Sequence, residues 1–148
     1  MNFTFRFDSK HKVLLIALGE VVTDVILGDI HSIAVRFVDD QGPCSGIGDF
    51  TAVESSTLSA NSIRSLAEMI PVIPDNPESL RVFVAPQTAI YGLFRMLQIL
   101  RDQQGIDIHV VHSLEEAYAL LGLKSPDFGD VSVEPYRVQP FLRVIEAG

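Results

Sequence analysis

A chain of 148 residues, 47% hydrophobic and 20% charged, can bury one core of its own without staples and is too apolar for the disordered regime. Nineteen acidic against eleven basic side chains give a net charge of −8. Such a surface repels phosphate backbones and anionic lipid heads, so neither nucleic acid nor a membrane surface is an expected partner.

The N-terminal "FTFRFD" alternates Phe3, Phe5 and Phe7 with polar residues, the period of a half-exposed strand. "SKHK" reads as a tight polar turn and "VLLIAL" as a second, more buried strand, so the two should form a hairpin. The start of the chain lacks the charged and apolar regions of a signal peptide, and "VLLIAL" is far short of a membrane span. The expectation is a soluble, cytoplasmic protein.

From Glu20 to Asp39 the period changes. Val22, Ile26, Ile30, Ile33 and Phe37 recur at helical spacing and share one face, with Gly28 weakening the middle or marking a close contact. "DDQGP" ends this helix, and "CSGIGDFTAV" reads as a strand whose glycines suggest a bulge or a close backbone approach. Cys44, the single cysteine, excludes an internal disulfide framework and a cysteine-based zinc site, and is expected as a buried, inert thiol.

The next helix carries Ile63, Leu66, Ala67 and Ile70 on one face and stops at Pro71, before the proline-rich connector "PVIPDNPES". "LRVFVAP" is a short strand. "QTAIYGLFRMLQILRDQQG" is a strong helix with Ile90, Leu93, Phe94, Leu97 and Leu100 inward and Gly105 as its C-cap. "IDIHVV" is a core strand, and "SLEEAYALLG" is a helix opened by a Ser113/Glu116 capping box. The order β-β-α-β-α-β-α-β-α predicts an α/β domain over residues 1–123, a mixed and mostly parallel sheet of about five strands covered by helices. Residues 124–148 do not continue the pattern and read as an extended C-terminal arm. Its apolar Tyr136, Phe141, Leu142, Val144 and Ile145 need cover from the same domain or from a second subunit, so a homodimer through this arm is an expectation.

Four segments resemble the SpoIIAA-like proteins, relatives of the STAS domain of anti-sigma factor antagonists. The N-terminal hairpin and helix come first. "DFTAVESSTLSANSIRSLAEM" matches a strand ending in Asp, a loop and a helix. "LRVFVAPQTAIYGLFRMLQIL" matches the strand and the tyrosine-glycine-arginine helix, and "IDIHVVHSLEEAYALLGL" the closing strand and helix. The resemblance spans residues 1–123. It implies a SpoIIAA-like (STAS-like) fold and a non-catalytic regulatory or binding module that docks a protein partner.

In anti-sigma antagonists of this kind, a serine at the start of the helix after that strand is phosphorylated, and the added charge disrupts docking. The family pattern there is Asp-Ser and a small residue, whereas this chain has "SSTLSANS". With Asp49 matched to the family's strand-ending aspartate, the serine's counterpart falls near Leu58, one residue from Ser59.

Two further readings of Ser55, Ser56, Thr57, Ser59, Asn61, Ser62 and Arg64 stand beside the switch. Thr57 or Ser59 can cap the helix, with Asn61 and Ser62 in its exposed first turn. Alternatively, the unpaired N–H groups of the helix start can hold a small anion near Arg64. Tyr91 and Arg95, four apart on one helix face, read either as an Arg stem over a Tyr ring or as a polar pair at the mouth of an apolar pocket. The latter would suit a carrier of a small apolar or anionic ligand, as in the related CRAL-TRIO group.

His109 and His112 lie an odd number of residues apart on a strand, so they face opposite ways and cannot chelate one metal. The chain has no nucleophile elbow, P-loop or dinucleotide fingerprint, and "GIGDF" leads into more strand rather than a helix. The expectation is therefore no enzyme, no metal and no cofactor. The working surface should lie at the C-terminal ends of the parallel strands, with Ser55 to Ser62 and the Tyr91–Arg95 helix.

Overall fold

The computed structural model describes residues 2–69, 80–102 and 108–137. The first hairpin pairs β1 (Phe3–Asp8) with β2 (Val13–Leu18), Phe3 opposite Leu18 and Asp8 opposite Val13. Phe3 and Phe5 are buried and Thr4 and Arg6 are exposed, as the alternation requires. Asp8 closes the turn between the strands. Its carboxylate accepts from the His11 backbone N–H at 2.9 Å and lies 2.8 Å from His11 Nδ1.

After β2 come a two-residue strand, β3 (Val21–Val22), and then helix α1 (Asp24–Gln41). Thr23 caps the helix, its Oγ1 accepting from the Ile26 N–H at 3.3 Å, and Gly42 ends it at φ 91°, in the left-handed region. Ile30, Ile33 and Phe37 are buried, as their spacing predicts. Val22 is buried too, but in β3 rather than on the helix: the cap at Thr23 starts the helix after it. The helix runs unbroken through Gly28, and a Cβ there would meet nothing within 4 Å, so that glycine is neither a break nor a close contact.

The remaining elements are β4 (Ser45–Asp49), β5 (Ser55–Ser56), α2 (Ala60–Met69), β6 (Arg81–Val84), α3 (Thr88–Asp102), β7 (Ile108–Val111), α4 (Leu114–Leu120), β8 (Gly129–Val131) and a 3-10 turn at Glu134–Tyr136. The strand predicted over "CSGIGDFTAV" ends at Asp49, where Thr51 N–H turns back to the Asp49 carboxylate at 2.9 Å. Gly48 is the close approach: a Cβ there would sit 3.0 Å from the Phe83 ring. Gly105, the expected C-cap, lies outside the described residues.

The α/β class holds. The main sheet has six strands in the order β7-β6-β4-β2-β1-β8; β2, β4, β6 and β7 are parallel, β1 runs antiparallel between β2 and β8, and β8 therefore points the same way as the parallel four. Each crossover from β2 to β7 steps the same way along the sheet. With a constant hand, such crossovers place their helices on one face. Accordingly α1, α2 and α3 share one core with Phe5, Leu14, Leu18 and Phe50. On the other face, Ala117 of α4 packs with Val13, Leu15, Ile47, Val82 and Val84, and Leu123 and Phe128 extend that layer.

The sixth strand comes from the tail. Gly129–Val131 pairs with β1, Val131 opposite Phe5, and Tyr136 sets its ring edge-on to Phe37 at 5.4 Å. The described part of the tail is therefore covered by its own chain. Phe141, Leu142, Val144 and Ile145 lie outside the described residues. Inward-facing positions of α3 are Ile90, Phe94, Leu97 and Arg101, while Leu100, expected inside, is 36% exposed. An arginine takes the place predicted for a leucine, and its guanidinium reaches the Ala67 carbonyl at the end of α2.

Candidate functional site

The C-terminal ends of β4, β6 and β7 and the loops that leave them form the edge on which the predicted site residues fall. Gln87, just before α3, ties two of these loops together. Its Nε2 donates to the carbonyls of Phe50 and Val53, at 2.8 Å each. These two bonds hold the approach to the hydroxyl-rich segment against the start of α3.

Ser55 and Ser56 are not loop residues. They form β5, a parallel partner of β3 with Ser55 beside Val21 and Ser56 beside Val22. The Ser55 N–H donates to the Glu20 carbonyl at 3.0 Å and the Thr57 N–H to the Val22 carbonyl at 3.1 Å. Both serines and Thr57 are exposed. The backbone pairing thus pins the hydroxyl run to the surface, beside Val21, itself 41% exposed. A polar pair has no apolar alternation, so nothing in its own residues announced this strand.

Ser59 is the helix cap. Its Oγ accepts from the Ser62 N–H at 3.3 Å, and the Ser62 Oγ accepts in turn from the Ser59 N–H at 2.9 Å. This is a capping box with serine in the position usual for Glu or Gln. Ser62 is buried, not exposed as expected, because its hydroxyl is turned back into the cap. Asn61 and Arg64 are exposed and bond to each other, Nη1 to Oδ1 at 3.0 Å. Beside them, α1 and α2 bound an open groove of about 270 Å³ lined by Leu27, Gly28, Asn61, Ser65, Leu66 and Met69.

Tyr91 and Arg95 part company. The Tyr91 ring stacks on His112, just past β7, with centroids 4.2 Å apart and planes 8° from parallel. Arg95 is exposed and bonds to Gln98 one turn on. The His112 N–H donates to the Glu116 carboxylate at 2.8 Å, which fixes the stack to the start of α4. Ser113 caps α4 as its pattern predicts. Beneath Tyr91 the interior is filled by rings: Phe94 stacks on Phe83 at 4.4 Å and tilts against Phe50 at 4.8 Å.

No family model matches this chain, and none of the curated proteins matches its sequence. The candidate site therefore rests on its geometry. Among the described residues no group of three His, Cys, Asp or Glu side chains could hold a metal ion, and no helix is long and apolar enough to cross a membrane. Cys44 is half-buried; burial pushes its thiol above the usual range, against the pull of Arg81 and Lys12.

Two polar features escaped the sequence reading. Asp8, 1% exposed, accepts from the Asp127 N–H at 2.9 Å as well as from the His11 turn. Burial alone would raise its carboxyl, but these hydrogen bonds and the His11 ring outweigh it and hold the pKa at about 2. His31, on α1, is displaced the other way from a free imidazole. Burial and the nearby Arg81 lower its pKa, against a hydrogen bond to the Met69 backbone that favours the proton.

Proposed function

We propose that this protein is a non-catalytic binding module of the SpoIIAA-like kind, a cytoplasmic regulator that docks a protein partner through the Val21–Arg64 edge. The observation that carries the reading is the β3–β5 pairing. It presents Ser55, Ser56 and Thr57 as an ordered exposed row beside Val21, with Val25, 74% exposed, in the first turn of the next helix. Ordered backbone with mixed apolar and hydroxyl side chains suits a protein contact, because little entropy is lost on binding. The same exposed hydroxyls suit control by phosphorylation, since an added charge of about −1.5 to −2 beside Val21 and Val25 would oppose an apolar contact.

The packed rings of Phe50, Phe83 and Phe94 favour docking over carriage of a ligand between sheet and helices. The pairing of Asn61 with Arg64 and the Ser59–Ser62 cap likewise engage groups that a small anion at the start of α2 would need.

Affinity capture with the wild-type chain, Val25→Asp and Ser56→Asp tests the proposal. A partner held by the wild type and lost from both variants supports it. A captured set that both changes leave intact sinks it. A native mass spectrum of the same protein with a small adduct, lost on denaturation, would move the reading to the carrier.

A further inference from the structure

At the opposite end of the sheet, two arginines lie near each other, and one of them is buried with N–H groups that meet no partner among the described residues. Helix α3 runs back from the C-terminal end of β6 to the start of β7, so Arg101, in its last turn, lies over the N-terminal edge of the strands. Arg81 opens β6 at that same edge, in register with Gly46 on β4 and Ile108 on β7. Alternation puts Arg81 on the face that carries Phe83, under the helices.

Arg101 is 2% exposed. Its Nη1 donates to the Ala67 carbonyl at 2.6 Å, and capping the end of α2 accounts for that one bond. Its Nε and Nη2 are buried and meet no hydrogen-bond partner among the described residues. Arg81, half-buried, is within electrostatic range of Arg101, and burial together with this like charge disfavours its proton. His31 also feels Arg81 while holding the Met69 backbone. Gly46 stands opposite Arg81 in the register, and a Cβ on it would meet nothing within 4 Å among the described residues, so the strand has open space beside Arg81.

A buried guanidinium with unmet N–H groups, set near a second and half-buried arginine, is costly unless an anion joins them. We propose that Arg101 and Arg81, with His31 beside them, form a site for a small phosphate-type oxyanion in the space next to Gly46. The guanidinium fork offers paired N–H donors at the spacing of phosphate oxygens. The net charge of −8 turns away extended polyanions, which leaves a compact anion as the occupant. This site is separate from the docking edge and does not depend on it.

Calorimetric titration of the full chain with inorganic phosphate, at fixed ionic strength in chloride, tests the assignment, after a check for phosphate released on denaturation. The expected result is one saturable site, or one equivalent released, with affinity weakened at least about tenfold in Arg81→Gln and unchanged in the exposed Arg64→Gln. Arg101→Gln should also lose the site. Should that variant not fold, Arg81→Gln, at a residue that is not fully buried, still decides. Titration with phenyl phosphate then separates the sources: equal binding means a site open to monoesters, and no binding restricts it to the free ion. Protein that neither releases nor takes up phosphate, or uptake untouched by Arg81→Gln, overturns the proposal.

Discussion

Ser59 and Ser62 each accept the other's backbone N–H, at 3.3 and 2.9 Å, so the serines nearest the start of α2 are structural before they are anything else. Ser59→Ala should cost about 1 kcal/mol of stability, in the range of lost N-caps, and Ser62→Ala a similar amount because it leaves a reciprocal bond unmade. Ser55→Ala, whose hydroxyl is exposed, should stay within about 0.5 kcal/mol. Urea denaturation of the three variants checks this, and a neutral Ser59→Ala would remove the cap from the account.

Gly28 and Gly48 should answer the same substitution with opposite signs. Gly28 lies in the second turn of α1 with empty space where its Cβ would go, so Gly28→Ala should stabilise by about 0.5–1 kcal/mol. Gly48 faces the Phe83 ring at 3.0 Å, and that ring is stacked on the buried Phe94. Gly48→Ala must push into a filled layer and should destabilise by about 1–3 kcal/mol. Thermal melts of the pair would settle both signs.

What could be read in advance follows from how local each cause is. The Phe3, Phe5 and Phe7 alternation and the Ile30, Ile33 and Phe37 stripe announce their elements because burial there has the period of the element itself. Val22 fits the α1 face by spacing, four residues before Ile26, but the cap at Thr23 assigns it to β3. For α3, both Leu100 and Arg101 satisfy helical spacing from Leu97. The choice between them turned on a carbonyl at Ala67, 34 residues away, which no local pattern contains. The same holds for β8, whose partner β1 lies at the other end of the chain, and for the stack of Tyr91 on His112. At the candidate site, the Ser59 cap was legible and the β3–β5 pairing that displays Ser55 and Ser56 was not.

Asp8 should set the acid limit of the hairpin. Its folded pKa of about 2 lies below the ordinary carboxyl value of 3.8, so its stabilisation is full above the unfolded value and is lost as pH falls through about 2. Asp8→Asn replaces a charged acceptor of the His11 and Asp127 N–H groups with a neutral amide and should cost at least about 1.5 kcal/mol at neutral pH. The variant should also lose part of the acid dependence between pH about 4 and 2. Denaturation curves at several pH values test both; a wild-type slope retained in Asp8→Asn would place the acid sensitivity elsewhere.

His31 acts at milder pH and by the opposite route: it is a base kept neutral, not an acid kept charged. Its folded pKa lies below 6.5 because burial and Arg81 both oppose the proton. The unfolded chain therefore binds that proton more readily. Stability from this residue is full above pH about 6.5 and is lost as pH falls below it, down through the lowered folded value. His31→Gln should flatten that part of the profile, since glutamine has no proton to gain. An anion at Arg81 would reverse one cause of the shift, so inorganic phosphate should weaken the same dependence in the wild-type chain and leave His31→Gln unchanged. A profile that phosphate does not alter in either protein would separate His31 from the proposed anion site while leaving its burial as the cause of the shift.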